Sequence, residues 1–242
     1  RAKLPAYQYP KHDFSEARRE LAAIAAAADP THPLGIYLIE SAHSWQQAAE
    51  LLEQLGTARV AELSVALFGT PDHALPGGVT TREAAQHFLT VASELDNELL
   101  SGAEQVEISA TALALRLQAQ LDDFFDARVI EVELDPNLIA KAAAGSRKIR
   151  IRSGAAFSDY DMQQLLQHEA FVHSLTALNG QQQTVLPSMA LSSPRSTATQ
   201  EGLAVFAELI TGSIDIERMK RVSLRIEAVA MAMAGADFMQ VF

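Results

Sequence analysis

Residues 159–180 read DYDMQQLLQHEAFVHSLTALNG, and the rest of the chain is arranged around this stretch. Ser158 stands where a helix N-cap belongs, and Asp159 and Asp161 suit the positive end of a first turn. Leu165, Leu166, Phe171, Leu175 and Leu178 recur at helical spacing, and Asn179-Gly180 is a stop signal. One apolar helix therefore carries His168, Glu169 and His173. Two imidazoles and a carboxylate on a buried helix are the usual parts of a zinc hydrolase site.

The spacing is one residue longer than the common H-E-x-x-H. At 3.6 residues per turn, a five-residue step leaves two side chains about 140° apart. An ideal α-helix cannot aim both imidazoles at one ion. A π-type turn between Ala170 and His173 would absorb the extra residue, and such turns concentrate at functional sites. The zinc reading thus predicts a locally widened helix.

A second helix is expected from Thr197 to Gly212, TATQEGLAVFAELITG, capped by Thr197 or Thr199, with Leu203, Val205, Phe206 and Ile210 as its apolar positions. On this reading Glu201 lies in the first turn. Glu201 then completes a set of two histidines and one carboxylate, leaving a fourth position open. Gly202 and Ala204 are small enough to let the two helices approach. Glu208, two turns on, is the spare candidate.

His168-Glu169-Ala170-Phe171-Val172-His173, followed by Gln200-Glu201-Gly202-Leu203-Ala204, resembles the QEGLA-motif metallopeptidases. That family includes the microtubule-associated tyrosine carboxypeptidases of animals and bacterial proteins labelled flavohemoglobin expression-modulating QEGLA motif proteins. The resemblance runs through most of the chain, from Leu4-Pro5-Ala6-Tyr7 onward. It implies a zincin-like metallopeptidase with two metal-bearing helices, in which His168, His173 and Glu201 bind Zn2+ and Glu169 is the catalytic base. It also implies carboxypeptidase action on the C-terminus of a peptide or protein.

The remaining sequence sets the frame. The 242 residues are 48% hydrophobic, enough for a sizeable core. The expected fold is mainly α with a small antiparallel β element, with a helical part over 1–125 and a catalytic core over 126–242. With no cysteine, disulfides and thiolate metal sites are excluded, which fits a cytoplasmic protein. No apolar run approaches the roughly 20 residues of a membrane span. No basic run or aromatic-basic interleaving speaks for nucleic acid. The net charge of −11 predicts repulsion of an acidic peptide unless the substrate cleft is locally basic.

Helices are expected from Phe14 to Ala28, Pro33 to Leu55, Ala58 to Phe68, Thr80 to about Leu95, and Thr111 to Phe125. His12, His32, His43, His73 and His87 are scattered among them and read as surface or structural. Arg128–Leu134 and Ser146–Ser153 alternate and predict two strands, joined by a helical or looped crossover over Asp135–Ala144. Ile130, Val132, Leu134, Ile149 and Ile151 form their inner faces. An edge strand beside the metal would hold an extended peptide by main-chain pairing. Outward-facing Arg150 or Arg152 would bind a terminal carboxylate through a forked pair of hydrogen bonds, or would simply pair with Glu131 and Glu133 across the strands. Arg195 is a second candidate for the carboxylate, and Tyr160 is a candidate oxyanion donor. From about Ile214 an amphipathic helix is expected to run to Phe242 with no cap and no glycine stop, its Val229–Met233 stretch in the core, as in a chain cut short. The competing expectation is a helical regulatory protein with a structural or vestigial metal site, which has no need of a base at Glu169.

Overall fold

The computed structural model describes residues 8–99 and 107–242, and the side chains of all of these except 95–99. The Leu4-Pro5-Ala6-Tyr7 segment lies outside the described residues. Four helices come first: α1 (Ser15–Ala27), α2 (Pro33–Glu53), α3 (Arg59–Phe68) and α4 (Thr81–Leu99). Their ends follow local chemistry. The His32 imidazole accepts from the Leu34 N–H ahead of α2, with Pro33 at the first helical position, so one of the scattered histidines is a cap. Glu83 accepts from the Thr80 N–H and hydroxyl at the head of α4. Arg18 of α1 reaches Glu53 of α2 at 2.9 Å and ties the first pair together.

The core lies in the following segment. Strand β1 (Ile108–Ser109) leads into α5 (Ala110–Phe125), which Ser109 caps at the Ala112 N–H. Leu113, Leu117 and Leu121 recur every four residues and are fully buried. They pack on Ile130, Ile149 and Ile151, which are equally buried and come from the segment that follows. Gln118 joins the two layers. Its amide donates to the Ile130 carbonyl at 2.9 Å and accepts from the Val132 N–H at 2.8 Å.

The three-stranded sheet has the order β2-β4-β3, with β2 Glu131–Asp135, β3 Ala142–Ala144 and β4 Lys148–Arg152. Here the structure corrects the sequence reading. The 135–144 crossover holds a strand, β3, and it is β3 that pairs antiparallel with β4. With that neighbour in place, β2 meets β4 in parallel, Glu131 opposite Lys148 and Asp135 opposite Arg152. The sheet is therefore mixed, not antiparallel. Leu134, expected inside, is 41% exposed; it lies near the end of β2, an edge strand. A second small sheet pairs β1 with β5 (Ala156–Phe157), antiparallel.

From Asp159 to Gln181 the chain is one continuous helical rod with a change of pitch inside it. It starts as α6 (Asp159–Gln164), with a reciprocal cap between Ser158 and Asp161. Residues Leu165–Ser174 are π-helical, and α7 (Leu175–Gln181) resumes the ordinary pitch. The rod is held on three sides. The Ser174 hydroxyl donates to the Gly145 carbonyl at 2.7 Å. Phe171 packs on Phe124 of α5 with ring centroids 4.4 Å apart. A Cβ at Gly180 would stand 2.5 Å from the Ala190 backbone, so only glycine admits the short helical turn Pro187–Ala190.

Helix α8 (Pro194–Ile210) starts three residues before the expected Thr197, with Ser193 as N-cap and Pro194 at the first position. Glu201 is thus in the third turn, not the first. Leu203, Phe206 and Ile210, three of its apolar positions, are 47%, 54% and 66% exposed, because α8 faces the rod through its small residue Ala204 and through Glu208. Helix α9 (Ile216–Met233) is capped by Asp215 and packs along α4, where Arg82 meets Glu227 at 3.3 Å. It does not run to Phe242. Gly235, at φ 90°, ends it, the Ala236 N–H returns to the Met231 carbonyl, and Asp237 caps a last turn, α10 (Phe238–Val241). Val229 and Met233 are about half exposed, and only Ala230 of that stretch is buried.

Candidate metal centre

The widened helix answers the geometric problem posed by the extra residue. In π-helical winding the hydrogen bonds run between residues five apart, so a five-residue step returns to the same side of the rod. The Leu175 N–H makes such a bond to the Ala170 carbonyl. His168 and His173 consequently face each other, with ring centroids 4.9 Å apart and planes at 76°. The π segment covers Leu165–Ser174 and is longer than the single turn expected between Ala170 and His173.

Helix α8 brings Glu201 to the same point. Its carboxylate oxygens stand 3.6 Å from His168 Nε2 and 3.6 Å from His173 Nε2. One ligand atom from each of the three side chains lies within 4.8 Å of the others, and this cluster could hold a metal ion. The donor set is two nitrogens and one carboxylate. At 3.6 Å the groups converge without hydrogen-bonding one another. Tetrahedral coordination with bonds of about 2.0–2.1 Å puts neighbouring ligand atoms about 3.3 Å apart, close to the spacing seen. The residues therefore fit a zinc-sized ion. Glu169 is adjacent, its Oε1 4.0 Å from His168 Nε2.

Behind His168 stands Glu208. It is fully buried, and its Oε1 lies 2.5 Å from His168 Nδ1. Arg218, at the head of α9, donates to both oxygens of the same carboxylate, at 3.2 and 3.3 Å. Burial works to raise the Glu208 pKa, but the hydrogen bonds from His168 and Arg218 outweigh it, so the group lies below its ordinary 4.5 and is a carboxylate at neutral pH. A carboxylate can only accept, so the shared proton sits on His168 Nδ1. The Nε2 lone pair then points to Glu201 and His173, the tautomer a metal ligand requires. Glu208, the spare ligand of the sequence reading, thus lies outside the cluster and orients one of its members.

Two clefts flank the cluster. One, of about 630 Å³, is lined by His173 and Gln200 and by apolar groups that include Trp45, Leu38 and Leu191. The other, of about 420 Å³, is lined by Glu169 with Lys141, Arg218, Arg221 and Arg225. The four substrate-binding candidates are distributed unevenly. Arg195 lines the apolar cleft, where it also pairs with Glu40 and lies over Tyr37. Arg150 pairs with Asp135, and Arg152 donates to the Ile139 carbonyl at 2.9 Å; neither lines these two clefts. Lys148, beside them, pairs across the strands with Glu133. Tyr160 is 47% exposed and lies in neither cleft. The basic residues of α9 are absent from the candidates that the sequence supplies. Arg218, Arg221 and Arg225 at i, i+3 and i+7 are the signal that could have found them.

Fold and site together define a mainly helical α+β protein in which two neighbouring helices present a His-His-Glu cluster able to hold a metal ion. The sequence model of the family described as microtubule-associated tyrosine carboxypeptidase matches residues 1–242, and the chain belongs to that family. No curated protein and no solved structure matches the chain.

Proposed function

We propose that this protein is a zinc-dependent carboxypeptidase that removes residues from the C-terminus of a peptide or protein. The observation that carries the reading is the convergence of His168, His173 and Glu201 within 4.8 Å, with the Glu169 carboxylate beside them. Membership of a family described as carboxypeptidases supports peptide hydrolysis as the reaction. The two ligand-bearing helices beside a small sheet support a zincin-like arrangement. When bound, zinc supplies a Lewis acid that lowers the pKa of a water to near neutrality and polarises a carbonyl.

The chain's own residues do the rest. His168, His173 and Glu201 are the ligands, and Glu208 holds His168 in the ligating tautomer. Glu169 is the general base: it takes the proton of the attacking water and delivers it to the departing amine. β3 is the edge strand nearest the site, and its Ala142 lines the basic cleft. Its outer edge offers main-chain groups to the last residue of an extended substrate. Arg195, at the opposite cleft, is placed to meet polar groups further along the substrate.

The test is metal analysis of purified protein together with Glu169→Gln. The expected result is about one zinc per chain in both forms, with hydrolysis of a peptide library lost only in the variant. Native protein that binds no zinc would overturn the reading. Zinc-loaded protein that hydrolyses no peptide would leave a metal-binding regulatory protein instead.

A further inference from the structure

We infer that the basic cleft beside Glu169 is the pocket for the substrate's free α-carboxylate, and that Arg221 and Arg225 are the residues that restrict cleavage to a chain end. The inference rests on the peptidase reading above and adds the source of its exopeptidase specificity.

Arg218, Arg221 and Arg225 share one face of α9, and all three line the same cleft as Glu169. Their situations differ. Arg218 is committed to buried Glu208, and Lys141 across the cleft pairs with Asp161 at 3.3 Å. Among the described residues no carboxylate pairs with Arg221 or Arg225, and both are exposed. In a chain of net charge −11, two unneutralised guanidinium groups beside the general base are a local inversion of the protein's field. A guanidinium presents a planar fork that matches a carboxylate, and the bond is stronger than one between neutral groups.

The direction of the substrate follows from the two clefts. His173 lines the apolar one and Glu169 the basic one, and buried His168 is beside both, its Nε2 4.0 Å from Glu169 Oε1 and its ring centroid 4.9 Å from that of His173. A peptide crossing the cluster leaves its body on the apolar side and its last residue on the basic side. The cleft of about 420 Å³ is at the small end of the range for ligand pockets, about 300–1,000 Å³. Phe157 and Leu165 supply apolar wall for the terminal side chain, while the arginines meet the carboxylate.

The experiment compares an N-acetylated tetrapeptide ending in phenylalanine, as free acid and as C-terminal amide, on the zinc-loaded protein. The free acid is expected to be cleaved with a kcat/KM about 50-fold higher, the scale of a lost charge-assisted hydrogen bond. Arg221→Gln and Arg225→Gln should each bring the free acid down toward the level of the amide. Equal cleavage of acid and amide by the native protein overturns the inference, and so do equal losses on both substrates in the variants. The same pair of peptides titrated calorimetrically into Glu169→Gln gives a readout without chemistry. Tighter binding of the acid, lost when Arg221→Gln is added, supports the pocket even if the native protein hydrolyses nothing, in which case only the peptidase reading fails. Hydrolysis of acid and amide alike keeps the peptidase reading and removes the pocket.

Discussion

Glu201 and Glu208 are the same residue type two turns apart on one helix, and they address opposite ends of one imidazole. Glu201 is more than half exposed and stands 3.6 Å from His168 Nε2, with no hydrogen bond to it. Glu208 is wholly buried and bonds Nδ1 at 2.5 Å, with Arg218 behind it. The first carboxylate is spare as far as folding goes; the second is part of the packing. A group that the fold does not need, aimed at two histidines, is left available to a ligand. A group that the fold cannot leave unpaired fixes the histidine that the ligand would meet.

The comparison breaks most visibly through metal binding. In Glu201→Gln, zinc affinity should fall about a thousandfold, one ligand's share of the roughly 16 kcal/mol at the upper end for a four-ligand structural site. Stability of the metal-free protein should stay within about 0.5 kcal/mol, as for other exposed positions. Competition with a chromophoric chelator and urea unfolding measure the two quantities. A large loss of metal-free stability would show that Glu201 is structural after all.

Glu208→Gln should give the reverse proportion. Removing an orienting carboxylate typically costs 10–100-fold in metal affinity. It also leaves Arg218 and His168 facing a neutral amide in a buried site, which should cost about 3 kcal/mol of metal-free stability. Unchanged unfolding in this variant would put the two carboxylates in one class. Arg218→Gln should destabilise by less, about 2 kcal/mol, since the His168 bond remains and Arg218 is itself partly exposed. Its effect on zinc affinity should be the smallest of the three, because the tautomer of His168 is still held.

The same contrast separates what the amino-acid sequence makes legible from what only packing decides. The His-His-Glu cluster is legible because its spacing is anomalous: a five-residue step from His168 to His173 demands a π-type turn if both are to face one point, and Leu165–Ser174 is π-helical. The role of Glu208 is not legible, because helical periodicity places it on the face of Glu201 but cannot say which nitrogen of which histidine it reaches. The start of α8 is ambiguous because Pro194 suits a loop as well as a first helical residue, and it takes the second role after Ser193. That shift moves Glu201 from a first-turn acid, explicable by the helix dipole, to a third-turn acid with no such explanation. β3 is hidden for a different reason. A run of alanines has no alternation to betray a strand, and only its pairing with Ile149–Ile151 makes it one. The arginines of α9 are visible as a helical stripe, but their meaning depends on Glu169 facing the same cleft, which is a tertiary fact.

The finest test of the buried carboxylate is its pH dependence. The folded pKa of Glu208 is held below its ordinary 4.5 by His168 and Arg218 against the opposing effect of burial. Between the folded and the unfolded value the unfolded chain binds more protons, so stability rises with pH there. The contribution is therefore fully present above about 4.5 and is lost as pH falls through the lower, folded value. Glu208→Gln has no such group to protonate. With chelator present, urea unfolding of the native protein and of the variant should differ by a constant amount from pH 7 down to about 5, and the difference should begin to shrink below about 4.5. A gap that does not narrow at all as pH falls below about 4.5 would mean that the carboxylate contributes by shape alone, and its charge would then not be what holds the Nδ1 proton of His168.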